Sequence, residues 1–257
     1  PTITARDVRI GNPTWAAQPQ FAHLDALHFR LAPLPLLAHR LQVPLLQLDR
    51  PTVNLQRNAE GRATWDFQLA HSDTPSSWKL DLQRIGFDQG RIALDDAASQ
   101  LKLQIDVQPL AGPIPYDQLL AQASDEARSD ARQATGAGTA RSLAAGKTSR
   151  DEPIGNARSD TAYVFGWHAR GSYRGSTAEG SGRIGGLLAL SDASQPFPLQ
   201  ARVRLGDTRI ALVGTLTDPL HLGALDLRVW FSGSSMAKLY AITGVTLPDT
   251  PPFATEG

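Results

Sequence analysis

The 257-residue sequence predicts a mainly β fold: an elongated, curled antiparallel sheet with an apolar inner face and a few short helices. Three observations carry that expectation. Apolar and polar residues alternate with a period of two over most of the chain. Pro and Gly punctuate the runs every few residues. Strands follow one another through turns rather than through long periodic helices, which argues against a doubly wound fold.

The elements follow in order. Ile3, Ala5, Val8 and Ile10 alternate with polar neighbours, as do Leu27, Phe29 and Leu31. In "PLPLLAHRL", residues 33–41, Pro35 opens a predicted short helix carrying Leu37 and Leu41. "LDRPTVNLQRNAEGRATWDFQL", residues 48–69, reads as a half-buried hairpin. Val53 and Leu55 share a side, Trp65, Phe67 and Leu69 supply the returning arm, and residues 58–61 form the turn. Leu80, Leu82, Ile92, Leu94, Leu101, Leu103, Ile105 and Val107 continue the alternation to complete a first sheet block over 1–120.

Residues 121–160 contain Ala, Ser, Gly, Arg and Asp with hardly a large side chain, and are expected to form a flexible, low-complexity insertion, with an ordered surface helix over the helix-prone "YDQLLAQASDEARSDARQA" as the alternative. A second sheet block spans 161–257. Ala201, Val203 and Leu205 precede a Gly206–Asp207 turn; Ile210, Leu212 and Leu216 follow it; Leu225, Leu227, Val229 and Phe231 form a strand with Asp226 and Arg228 outside. A short helix near 235–243 is capped by Ser234 or Ser235 and stopped by Gly244.

Chemistry is sparse. Basic and acidic residues balance at 25 each, so composition gives no basic footprint for nucleic acid, and the absence of cysteine removes disulfides and thiol catalysis. "GSGRIG", residues 180–185, has dinucleotide-fingerprint spacing but no long helix behind it. The six histidines form no metal-spaced pair, no GxSxG elbow exists, and adjacent Asp95 and Asp96 would face opposite sides of a strand. The reading is a non-enzyme without cofactor or metal. No run reaches the ~18 apolar residues of a membrane span, and the start lacks a signal-peptide pattern. The five tryptophans suit packing, or, if Trp15, Trp65 and Trp230 shared an exposed face, a glycan site.

The ordered motifs "NPTW" (12–15), "LDRPTVNLQRNAEGRATWDF" (48–67), "IGFDQGRIALDD" (85–96), "PFPLQARVRLGDTRIALVGTLTDPLHLGALDLRVWFSGSSMAKLY" (197–240) and "GVTLPDTPPF" (244–253) together resemble the AsmA family of Gram-negative bacteria. The chain departs from many relatives in having Thr64 where they have Asn before the hairpin tryptophan. The resemblance implies a bridge-like lipid-transfer protein: a periplasmic curled sheet with an apolar groove, tethered to the inner membrane by an N-terminal helix and supporting outer-membrane biogenesis. This chain would then be a middle segment without anchor or downstream sheet. Its implied partners are phospholipid or another acyl lipid, the inner membrane through that anchor, and envelope proteins. Val53, Leu55, Trp65, Phe67, Leu101, Leu103, Leu225, Leu227 and Val229 are the candidate groove residues, their side taken from strand parity and their lipid role from the resemblance. The alternatives are a scaffold regulating membrane-protein assembly and a glycan-binding module.

Overall fold

The computed structural model describes residues 2–32, 35, 40–66, 79–135, 162–190, 196–217 and 224–257. It divides into two compact units, Pro1–Pro109 and Leu110–Gly257.

In the first unit β1 (Thr2–Gly11) runs antiparallel to β2 (Gln20–Arg30). Along the far edge of β2 lie β4 (Leu46–Asp49) and β5 (Thr52–Arg57), end to end in one continuous register. They are one strand interrupted at Arg50, whose φ is 46°. The same interruption repeats one strand over: β7 (Ile85–Phe87) and β8 (Gly90–Asp96) pair parallel to β4 and β5, and the Asp88 carboxylate between them accepts the Arg50 backbone N–H at 3.4 Å. β9 (Leu101–Pro115) returns antiparallel to β8. A separate parallel pair joins β3 (Arg40–Val43) to β6 (Lys79–Leu82). Leu41 therefore sits in a strand rather than in the expected helix; of that helix, Leu37 lies outside the described residues.

The second unit is an antiparallel meander. β10 (Ala162–Tyr173), β11 (Ser176–Ile184), β12 (Phe197–Leu205), β13 (Thr208–Thr217), β14 (Ala224–Gly233) and β15 (Phe253–Glu256) pair in sequence order. The two-residue turn at Gly206 and Asp207 joins β12 to β13, with Gly206 at φ 53°. A 3-10 turn (Met236–Leu239) capped by Ser235 runs into the short helix α2 (Tyr240–Thr243), which Gly244 ends in the left-handed region. α1 (Tyr116–Thr135) follows β9.

Two expectations are corrected. The sheet is not curled or closed: among the described residues β1 pairs only with β2, β15 only with β14, and the strand path between them is open. Closure requires the edge strands to exchange hydrogen bonds, and alternation of side chains contains no information about that. The sheet is mainly antiparallel, with β4 and β7, and β5 and β8, running parallel.

The second correction concerns residues 121–135, expected within a flexible insertion. They are the greater part of α1, and the anchor is a stripe of small residues. Ala123, Ala127 and Ala131 recur every fourth position and are buried, continuing the line of Tyr116 and Leu119. Residues 136–160 lie outside the described residues.

Candidate functional site

In the second unit the register sorts every strand residue onto one of two faces. One cross-strand row reads Trp167, Gly182, Ala201, Leu212, Val229; the row beside it reads Phe165, Ile184, Leu199, Gly214, Leu227. No residue of β10 to β14 on this face is charged. Arg170, Glu179, Arg183, Arg202, Arg204, Arg209, Asp226 and Arg228 all have the opposite parity.

The helix lies on the charged face. Ala123 and Ala127 pack with Ala211, Val213 and Trp230, where Val213 is 0% exposed and Trp230 7%. Arg202, reaching up from β12, donates to Glu126 at 3.2 Å and to Asp130 at 2.7 Å and ties α1 down. At the start of α1, Tyr116 stacks on Tyr163 with ring centroids 6.2 Å apart, and burial pushes the Tyr116 phenol up to about 12. On the opposite, uncharged face Leu199, Val203, Ile210, Leu212, Leu227 and Val229 are half-buried, whereas Phe165, Phe197 and Ala201 are buried.

The first unit repeats the segregation on fewer strands. Val53, Ile92 and Ile105 form one row and Leu55, Leu94 and Leu103 the next, all half-buried. The polar residues Asn54, Gln56, Arg91, Asp95, Lys102, Gln104 and Asp106 face the other way. Polarity returns at one end of the aliphatic rows, where Arg57 and Asp96 pair as cross-strand neighbours and Leu101 stands opposite Asp96. Asp96 is 5% exposed. It takes Arg57 Nε at 2.9 Å, Ser99 Oγ at 2.7 Å and the Ala98 and Ser99 amides, and the Arg57 guanidinium holds its carboxyl well below the usual carboxylate range. The role is that of a hairpin lock. Asp95, on the other face, pairs with Lys102 at 3.4 Å.

Six of the nine candidate residues therefore lie among aliphatic cross-strand neighbours: Val53, Leu55 and Leu103 in one unit, Leu227, Val229 and the end residue Leu225 in the other. Leu225 is 59% exposed at the start of β14. Leu101 borders the Asp96 pair. Trp65 is placed differently: among the described residues the returning arm pairs through the Arg57–Ala63 bridge and Thr64, then turns, leaving Trp65 outside any strand and 37% exposed. Parity thus does not assign Trp65 to the face of Val53. Phe67 lies outside the described residues. The turn itself matches expectation, with Gly61 at φ 85° and Asn58 bonded to Arg62. Thr64 is 2% exposed, and its hydroxyl accepts the Gln56 amide at 3.0 Å.

The sequence reading missed Trp167, Leu199, Ile184 and the contribution of β10 and β11 to the uncharged face, although the alternation of Phe165, Trp167 and Ala169 signals it. Trp15 is engaged by Arg62 at 5.5 Å, and burial of Trp230 under α1 removes it from any exposed aromatic face. Among the described residues no group of three or more His, Asp or Glu could hold a metal ion, and no helix is long and apolar enough to cross a membrane.

Comparison with known proteins decides the lineage, because the AsmA family model matches residues 1–257. The chain belongs to the AsmA family. It is 40% identical over 263 residues to the AsmA family protein YhjG of Escherichia coli strain K12, a match covering 100% of this chain and 34% of that protein. The chain thus spans about a third of the length of its curated AsmA relative. No solved structure matches it.

Proposed function

We propose that this AsmA segment serves outer-membrane biogenesis in the periplasm, as part of a protein tethered to the inner membrane, by giving acyl lipid an apolar path along its sheet. The single observation that carries the reading is the position of α1. A helix docked on the charged face of β10 to β14, with none of those strands' charged residues on the aliphatic face, inverts the arrangement that a closed α-on-β core would need. An aliphatic face left half-buried is costly unless something apolar uses it. Each acyl CH₂ moved out of water contributes roughly 0.8 kcal/mol, so a hydrocarbon chain is a fitting occupant, and no catalytic group is required to carry it.

The test is photo-crosslinking from single probes at Leu103 and Leu227 in the full-length, membrane-anchored protein, with Lys102 and Arg170 as controls on the opposite faces. The expected result is lipid adducts at the first two positions only. Protein adducts alone would instead support a scaffold in membrane-protein assembly, and adducts of equal yield at all four positions would defeat the path.

A further inference from the structure

The glycines of "GSGRIG" have a use unrelated to phosphate. Gly180 and Gly182 lie two apart on β11 and so share its uncharged face, where their missing side chains leave a slot across the strand. Trp167, the cross-strand partner of Gly182, fills that slot. A Cβ built on Gly182 would stand 2.8 Å from Cε2 and Cζ2 of the indole, and one on Gly180 3.2 Å from Cζ3. Side chains on a strand ordinarily stand away from the sheet. Here the ring lies down over its neighbour, half-buried, and its six-membered part reaches past one glycine to the next.

We propose that Trp167, laid over Gly180 and Gly182, is a contact plate for an acyl chain, and that the height of its ring sets the clearance of the path at this row. The inference rests on the lipid-path reading above. The row continues through Ala201 to Leu212 and Val229, so beyond the indole the small Ala201 forms a low step before the aliphatic side chains. An uncharged strip of this kind offers no partner to a headgroup or an ionic peptide, and its complement is hydrocarbon. A Cβ at Gly180 would make the ring give way, and a branched side chain there would displace it further into that clearance. Gly182 is a poorer place to perturb, because a Cβ there would also meet the Gln200 carbonyl.

The experiment places a photo-reactive residue at Leu212 in the full-length protein, reconstituted in phosphatidylethanolamine vesicles, and compares the parent, Gly180→Val, and Gly180→Val combined with Trp167→Ala. The parent should give lipid adducts. Gly180→Val should lower their yield about tenfold through overpacking against the ring. The double variant, with no ring to lift, should restore them. Adducts at Leu227 but none at Leu212 in the parent would overturn the plate and leave the path standing. So would an undiminished yield in Gly180→Val, or a double variant that stays low. Absence of lipid at both Leu212 and Leu227 in the parent would remove the underlying path and the plate with it.

Discussion

Leu212 and Val213 are adjacent on β13 and point to opposite faces, which makes them an internal comparison of the two sides of one sheet. Val213 is 0% exposed beneath Ala123 and Ala127, whereas Leu212 is half-buried on the uncharged face. Replacing each by Asn tests whether the second face is open. At Val213 the change forfeits the transfer of a buried aliphatic side chain, about 1.5–3 kcal/mol. It also strands an amide under α1, adding about 1–3 kcal/mol, so a loss of roughly 3–5 kcal/mol is expected. At Leu212 the amide keeps its water and only part of the transfer is lost, about 1 kcal/mol. The strand propensity of Asn is common to both substitutions and drops out of the difference.

Urea unfolding followed by far-UV circular dichroism measures both losses. The Val213→Asn midpoint should fall by several times the shift of Leu212→Asn, with part of the helical signal lost first as α1 undocks. Equal losses at the two positions would refute the argument, because Leu212 would then be covered as fully as Val213 and the uncharged face would be a core.

Three other outcomes are expected. Asp96→Asn should destabilise the protein at neutral pH. Because the folded Asp96 carboxyl titrates below its ordinary value of 3.8, its contribution is present above that value and is lost as pH falls below it. The acid limb of the wild-type stability curve should therefore be steeper than that of the variant. Ala127→Leu should cost about 1–3 kcal/mol in a denaturation experiment by pushing α1 off Ala211 and Trp230. The Tyr163 hydroxyl is buried without a hydrogen-bond partner among the described residues, so Tyr163→Phe should be neutral or stabilising by up to about 1 kcal/mol, and a clear loss of melting temperature would contradict that account.

What the sequence disclosed was parity. Val53 with Leu55, Leu101 with Leu103, and Leu225 with Leu227 and Val229 fall on the sides that a period of two assigns, because an unbroken strand leaves no other arrangement. Parity held even through the left-handed Arg50: Leu48 and Val53, an odd number of residues apart, lie on opposite faces of one continuous register. It stopped applying where the chain leaves the strand. At Trp65 the chain turns after the Arg57–Ala63 bridge, where the Thr64 hydroxyl accepts the Gln56 amide, so no strand parity assigns the indole a face.

The harder miss was α1, whose apolar stripe consists of alanines too small to register as an amphipathic face. Small size is nevertheless what the charged face requires of a helix. The alanines bring α1 close enough to β12 for Arg202 to reach Glu126 and Asp130, and close enough to β13 and β14 to bury Val213 and Trp230. Larger side chains in the same stripe would lift the helix from these contacts. The composition that reads as low complexity is therefore the feature that lets α1 sit so close to the charged face.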